Sequence, residues 1–273
     1  MKFSIVLSTH AAQFDAVAFR EDFEANVARI AALGYDGVEL AVRDPALVDG
    51  EQVHATLAEH GLEVPAIGTG QAYGEEGLSF TDPDPTVRQR ALERIKAQIE
   101  FACHFHALVI LGLIRGRVQA GVEQEQAMAW LTEALGQCAA VAAPRGVRLA
   151  LEPINRYETD LVNTVAQGLA LIEGIGADNL GLLFDTFHAN IEEPSIEGSL
   201  RAVGDRLFHV HVADSNRWYP GAGHIDFVSL VTTLRGMGYD GWLSAEILPQ
   251  PDPGTAARET IAHLRGVGRL VER

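Results

Sequence analysis

The chain has 273 residues, 47% of them hydrophobic, which is enough to bury a large core in one domain or in two small ones. Its formal net charge of −16 argues against nucleic-acid binding, because a surface that neutralises phosphates normally carries an excess of basic residues. A bound cation or a small polar substrate fits this charge better. Cys103 and Cys138 lie in helical patterns without a CxxC pairing, so we expect core residues and not a disulfide or a cysteine zinc site.

The N-terminal stretch MKFSIVLSTH has too short an apolar run for a signal peptide, and no stretch approaches membrane-spanning length. We therefore expect a cytoplasmic protein with neither a membrane nor a nucleic acid as its partner. No linker interrupts the sequence pattern, which favours a single domain over residues 1–273.

Short β-like runs alternate with longer helical runs along the chain, which is typical of βα units repeated around a parallel sheet. In the first half the predicted strands cover 3–8, 37–42, 63–69 and 108–114, and the helices cover 23–33, 52–60, 86–104 and 123–143. In the second half the strands cover 148–154, 180–184, 207–212 and 242–248, and the helices cover 165–175, 196–203, 227–237 and the region from 255 onward.

Eight such pairs in a chain of this length predict an α/β fold of the (β/α)8 TIM-barrel type. The rival fold is an open, doubly wound sheet. It is disfavoured because the sequence after the first strand, STHAAQF, lacks the GxGxxG phosphate loop.

The last four predicted strands each end near a residue of metal-ligand type. These residues are Glu152 in LALEP, Asp185 in LLFDT, His211 in HVHV and Glu246 in LSAEIL. In a TIM barrel the C-terminal ends of the strands face one shared mouth, so the four side chains should converge. Three carboxylates and one imidazole form an oxygen-rich site suited to Mn²⁺, Mg²⁺ or Co²⁺, with Zn²⁺ as a further option.

One acidic residue at a strand end is equally well explained by a helix cap or a solvated loop. The four residues together favour a metal, because burying three unpaired negative charges without a cation is costly. His209 shares the strand face of His211 and is a further candidate ligand, although a supporting or space-filling role fits it better.

Further polar groups follow the same strands. They are Asn155, Arg156, Tyr157 and Glu158 after strand five, His188 and Asn190 after strand six, and Asn216 and Arg217 after strand seven. Their concentration near the metal-bearing strands favours a hydroxyl-rich substrate. Arg115 and Arg117, after strand four, either bind an anionic substrate group or pair with the protein's own acids. Asp214 and His224 are expected to close the loop after strand seven.

Four stretches are the most distinctive: EPINRYETDLVNT from Glu152, FDTFHANIEE from Phe184, HVADSNRWYPGAGHIDF from His211 and AEILP from Ala245. They resemble the xylose isomerase-like TIM barrels, and within them the ketose 3-epimerases that act on D-tagatose and D-psicose. The resemblance covers essentially the whole chain. The early stretches AVRDP, AIGTGQAY and GLIRGR resemble a narrower group, the 5-keto-L-gluconate epimerases, whose substrate is a keto-uronate.

The resemblance implies that Glu152, Asp185, His211 and Glu246 hold a divalent metal, typically Mn²⁺, and that no organic cofactor is needed. It implies further that Glu158, His188 and Arg217 hold the oxygens at the keto end of a small sugar or sugar-acid substrate. A homo-oligomer is an expectation for the family.

These observations predict a metal-dependent 3-epimerase of a ketose or keto-uronate, with Glu152 and Glu246 as the catalytic acid and base. Three alternatives stay open. The first is an aldose–ketose isomerase such as a hydroxypyruvate isomerase, and the second is a zinc-dependent abasic-site endonuclease, which the acidic charge disfavours. The third is a sugar-binding barrel without catalysis.

Overall fold

Eight parallel strands close into a barrel in the computed structural model, which describes residues 1–11 and 15–271. The strands follow one another in chain order around the barrel, and β1 also pairs with β8. They are β1 (Lys2–Ser8), β2 (Gly37–Ala41), β3 (Ala66–Gly68), β4 (Leu108–Leu111), β5 (Leu149–Leu151), β6 (Leu180–Asp185), β7 (Leu207–Val212) and β8 (Trp242–Ala245). The predicted (β/α)8 TIM-barrel fold is confirmed.

Helices surround the barrel and alternate with its strands. They are α1 (Phe23–Leu33), α2 (Gly50–Glu59), α3 (Gly70–Glu76), α4 (Pro85–Cys103), α5 (Gln124–Ala142), α6 (Val165–Ile175), α7 (Thr186–Glu192), α8 (Ile196–Val203), α9 (Phe227–Gly236) and α10 (Pro253–Val271). Short 3₁₀ turns cover Pro45–Leu47, Leu113–Arg115, Ala143–Arg145 and Gly204–Arg206. Within the described part of the chain, no helix is both long enough and apolar enough to cross a membrane.

The main core lies between the outer face of the barrel and the inner faces of the helices. Val27 and Ile30 of α1 and Leu131 and Leu135 of α5 are fully buried there. The strands are buried on both faces, as the unbroken apolar runs predict; all five residues of β2 are buried. Cys138 is buried as expected, and Cys103 is partly buried.

The predicted boundaries of α1, α6, α8 and β7 coincide with the observed ones, whereas β3, β4, β5 and β8 are shorter than predicted. The apolar run after β4 shows why. The chain leaves the sheet at Gly112 and forms the 3₁₀ turn Leu113–Arg115, although Ile114 remains fully buried. An apolar run indicates which residues are buried, and here the buried residues extend beyond the end of the paired strand. The strand predicted from the run is therefore too long. The short helices α3 and α7 were not predicted.

Close packing inside the barrel wall requires glycine in β6. A Cβ atom on Gly181 would lie 2.6 Å from the Arg206 carbonyl oxygen and 2.6 Å from the Phe208 ring. We expect Gly181→Ala to lower the free energy of unfolding by about 1–3 kcal/mol through overpacking. Urea denaturation measures this change.

The same substitution at Gly174 serves as the control. Gly174 lies in α6, and apart from its chain neighbours and the nearby helix backbone no atom lies within 4 Å of the added methyl group. Alanine is the better helix former, so Gly174→Ala should raise stability by about 0.5–1 kcal/mol. Equal effects of the two substitutions would contradict the packing described for β6.

Candidate metal centre and substrate pocket

The four predicted metal ligands meet at the C-terminal mouth of the barrel. Glu152 follows β5, Asp185 ends β6, His211 lies in β7, and Glu246 follows β8. Each side chain offers one ligand atom, and the four atoms all lie within 4.8 Å of one another. Consecutive parallel strands deliver them to one point, which is the convergence expected for this fold.

Three of these ligand atoms are buried and have no hydrogen-bond partner among the described residues: Glu152 Oε1, Asp185 Oδ2 and His211 Nδ1. His211 Nδ1 lies 3.6 Å from Glu152 Oε1 and 3.7 Å from Asp185 Oδ2, beyond hydrogen-bond distance. Buried polar atoms without partners are costly, particularly on carboxylates. A divalent cation between the three atoms would satisfy all of them.

The two carboxylate oxygens of Asp185 differ in their hydrogen-bond partners. Oδ1 accepts hydrogen bonds from the backbone N–H groups of Phe187 (2.7 Å) and His188 (3.4 Å), and so caps the N-terminus of α7. Oδ2 is left to face the cluster. Burial opposes ionisation of this carboxyl group, but the nearby His188, His211 and Arg217 outweigh it and lower the pKa of Asp185 to about 2.

The pKa of Glu246 shifts in the opposite direction to that of Asp185. Burial, with the neighbouring Glu152 and Asp185 carboxylates, raises the pKa of Glu246 to about 8, although its Oε2 accepts a 2.8 Å hydrogen bond from Arg217 Nη2. His211 and Arg217 therefore do not outweigh burial and the two other carboxylates at this point. A bound divalent cation would lower this pKa. Three carboxylates and one imidazole match the donors that hard divalent cations prefer.

Glu39 also belongs to this region, although the sequence alone assigned it neither a metal nor a substrate contact. It lies in β2, and its carboxylate accepts hydrogen bonds from Nε2 of His209 (2.9 Å) and Nε2 of His211 (3.0 Å). These three residues could also be viewed as a small metal site. Their separations are those of hydrogen bonds. The available signal was an acidic residue inside the otherwise uncharged strand GVELA.

The residues predicted to hold the keto end of the substrate line the same pocket as the cluster. Arg217 Nη1 donates to Glu158 Oε1 at 3.0 Å, and His188 Nε2 lies 3.7 Å from Glu152 Oε1. Asn155 connects them: its Nδ2 donates to Glu158 Oε1 and lies 2.8 Å from His188 Nδ1. Sequence reasoning grouped Asn155 only with general polar loop residues.

The loop after β7 holds Arg217 in an uncommon backbone conformation. Its φ is 61°, in the left-handed region that non-glycine residues seldom adopt. The Asp214 carboxylate accepts hydrogen bonds from the backbone N–H groups of Ser215, Gly221 and Ile225, and so holds the loop together from within. The Arg217 carbonyl accepts a hydrogen bond from the N–H of Leu248. The guanidinium between Glu158 and Glu246 is thus positioned by a closed loop.

Arg115 and Arg117 lie elsewhere than predicted. Arg115 is fully buried and donates from Nη1 to the carbonyls of Val162 (3.0 Å) and Leu161 (3.3 Å). Burial lowers its pKa to about 10, which leaves it charged at neutral pH. The Arg117 side chain is exposed, and neither arginine lines the pocket. Of the two roles predicted for these arginines, binding an anionic substrate group or pairing with the protein's own acids, Arg115 shows neither here: it ties the loop after β5 to the turn after β4.

Apart from Glu39, the remainder of the pocket wall is uncharged. It is formed by residues from β1 to β4 and the segments that follow them: Val6, Val17, Ala41, Gly68, Thr69, Gly70, Gln71, Ile110, Gly112 and Leu113, with Ile154 from the loop after β5. Among the described lining residues, Arg217 is the one arginine or lysine, and two carboxylates already contact it.

The fold and the cluster together define a TIM barrel with a candidate metal centre at its C-terminal mouth. Residues 27–267 match the family described as xylose isomerase-like TIM barrel, and the chain belongs to this family.

Among curated proteins, the chain is 33% identical over 242 residues to an L-ribulose 3-epimerase of Mesorhizobium japonicum, covering 88% of this chain and 80% of the relative. It is 32% identical to a ketose 3-epimerase of Arthrobacter globiformis, covering 84% and 77% of the two chains.

Solved structures resemble the whole barrel. An L-ribulose 3-epimerase is 29% identical with a TM-score of 0.84, covering 99% of this chain and 97% of the other. The apo form of a 3-keto-D-glucoside 4-epimerase from E. coli is 25% identical with a TM-score of 0.82, covering 97% and 99%. The relatives are thus ketose and keto-glycoside epimerases.

The different surroundings of the two arginines lead to a direct test. We expect Arg115→Gln to lower the free energy of unfolding by about 2–4 kcal/mol, because it removes a buried guanidinium from two loop carbonyls. The matched change Arg117→Gln, at an exposed side chain, should stay within about 0.5 kcal/mol. Chemical denaturation measures both. Equal losses would contradict the structural role assigned to Arg115.

Proposed function

We propose that this protein is a metal-dependent ketose 3-epimerase, which inverts the configuration at C3 by removing a proton and returning it to the opposite face. The observation that carries the proposal is the convergence of the buried, unpartnered atoms of Glu152, Asp185 and His211, with Glu246 beside them. The relatives support a sugar epimerase, since the curated matches over most of the chain bear such names.

The proposed metal ligands are Glu152, Asp185, His211 and Glu246, and Mn²⁺ is the proposed ion. A bound divalent cation would act as a Lewis acid on neighbouring substrate oxygens and so make the C3 hydrogen more acidic. Glu152 and Glu246 are the proposed base and acid. One carboxylate takes the C3 proton, and the other gives a proton to the opposite face of the planar intermediate.

The keto end of the substrate is assigned to Glu158, His188 and Arg217. Asn155 holds Glu158 and His188 in a fixed relation by hydrogen bonds to both side chains. Because Arg217 bridges Glu158 and Glu246, it would orient a proposed substrate contact and a proposed catalytic carboxylate at once. Such preorganised groups reduce the reorganisation needed at the transition state.

The far end of the substrate is proposed to be uncharged. Arg115 donates to backbone carbonyls and does not line the pocket, and the wall formed by the early strands offers hydrophobic side chains with Thr69, Gln71 and the carboxylate of Glu39 as its polar groups. A carboxylate at that end would be desolvated without a cationic partner, which is unfavourable. A neutral ketose therefore fits better than the keto-uronate that the arginines of GLIRGR suggested.

Hydrogen exchange tests the reaction. In D₂O with Mn²⁺, wild-type protein should place deuterium at C3 of L-ribulose or D-psicose, followed by NMR. Glu152→Gln and Glu246→Gln should each slow exchange by at least about 10²–10⁴-fold, the usual contribution of a general acid or base. Glu63→Gln, an exposed carboxylate paired with Lys2, is the matched control and should exchange at the wild-type rate. Undiminished exchange in both site variants would contradict the proposal.

Substrate charge provides a second test. We expect kcat/KM to be higher for a neutral 2-ketose than for a keto-uronate of the same configuration, because the far wall lacks a cationic partner for the carboxylate. Steady-state assays of D-tagatose against D-tagaturonate measure the ratio. A preference for the acid would restore the keto-uronate hypothesis.

A second candidate is epimerisation at C4 of a keto-glycoside. It is favoured by the structural neighbour that is 25% identical and described as a 3-keto-D-glucoside 4-epimerase. The position of the label separates the candidates: deuterium at C3 indicates the 3-epimerase, deuterium at C4 of a keto-glycoside the 4-epimerase, and an aldose product the isomerase.

A further inference from the structure

We infer that Glu39 is a positioning residue for His211: it fixes the imidazole so that Nδ1 is presented to the proposed metal. This inference rests on the metal site proposed above and adds a residue that would act on the ion through His211. The observation behind it is the hydrogen-bonded group of Glu39, His209 and His211 inside the barrel.

The contact crosses the barrel interior. Glu39 belongs to β2 and both histidines belong to β7, and the strands β1 and β8 lie between them along the wall. Glu39 is 1% exposed, His209 0% and His211 1%. Water therefore does not compete for these hydrogen bonds, and the carboxylate holds the two rings of β7 from the opposite side of the interior.

The hydrogen bonds select one tautomer of His211. A neutral imidazole protonates one nitrogen and leaves a lone pair on the other. Nε2 of His211 lies 3.0 Å from both oxygens of Glu39, so the carboxylate favours the proton on Nε2. Nδ1 is then the nitrogen with the lone pair, and it is the atom that faces Glu152 and Asp185. A histidine that binds a metal through Nδ1 needs a lone pair on that nitrogen and the proton on Nε2.

His209 in turn holds Glu39. Its Nε2 lies 2.9 Å from Glu39 Oε2, the oxygen that also contacts His211. The two rings lie nearly perpendicular, with centroids 5.5 Å apart. A carboxylate is the side chain that suits this position, because it accepts from two N–H donors at once. Glutamine has one acceptor oxygen, and its NH₂ group would face one of the two donors.

The experiment is a Mn²⁺ titration of the full-length chain, with free Mn²⁺ measured by EPR. Glu39→Gln should raise the dissociation constant by about 10- to 100-fold, the usual effect of losing the partner of a ligating histidine. Ser244→Ala is the control: Ser244 pairs in register with His211, and its buried hydroxyl has no hydrogen-bond partner among the described residues. This variant should bind Mn²⁺ as the wild type does.

A double-mutant cycle shows whether Glu39 acts through His211. In the His211→Gln background the further change Glu39→Gln should leave the Mn²⁺ dissociation constant unchanged, because the ring that Glu39 positions is gone. A further loss as large as in the wild-type background would overturn the inference.

If Glu39→Gln does not fold, His209→Gln replaces it. His209→Gln retains the Glu39 carboxylate but removes one of its two histidine partners. It should raise the Mn²⁺ dissociation constant by a smaller factor than Glu39→Gln.

A spectroscopic signature separates positioning from general stability. With ¹⁵N-labelled histidine and diamagnetic Mg²⁺, the wild type should show His211 protonated on Nε2, and Glu39→Gln should shift this signal. Unchanged Mn²⁺ affinity in both Glu39→Gln and His209→Gln would overturn the inference while leaving the metal site intact. Two Mn²⁺ ions per chain, one lost with Glu39, would overturn it in favour of a second ion. No Mn²⁺ binding by the wild type would overturn both the metal site and the inference.

Discussion

The crowding of three carboxyl groups around one point, two of them buried and that of Glu246 partly buried, is the constraint on which the rest of this barrel depends. Glu152, Asp185 and Glu246 all lie at the ends of neighbouring strands, and their ligand atoms fall within 4.8 Å of one another and of His211. Such a concentration of negative charge away from water is unfavourable unless cations oppose it. Arg217 and the neighbouring imidazoles oppose part of this negative charge. At Glu246, burial and the other two carboxylates outweigh their effect and raise the pKa.

Two layers of contacts hold this cluster in place. Towards the barrel interior, Glu39 joins His209 and His211 across the space between β2 and β7. Towards the mouth, Arg217 bridges Glu158 and Glu246 from a loop that Asp214 closes. Most of these groups are deeply buried, so their positions follow from packing as well as from hydrogen bonds.

The fold and the candidate ligands could be predicted from the sequence because both depend on local patterns. Apolar runs gave the eight strands, and chemistry at strand ends gave Glu152, Asp185, His211 and Glu246. Two features could not be read in this way. The partners of Glu39 lie 170 and 172 residues away in the chain, so the role of Glu39 depends on closure of the barrel. A substrate contact was one of two roles expected for Arg115 because it follows a strand, but the turn Leu113–Arg115 buries its side chain.

The most direct measurement of the central claim is anomalous diffraction from crystals grown with Mn²⁺. The account predicts one strong peak between Glu152 Oε1, Asp185 Oδ2, His211 Nδ1 and the Glu246 carboxylate, at about 2.0–2.3 Å from its ligand atoms. A peak centred instead between Glu39 and His209, or no peak with the four ligand residues well ordered, would contradict it.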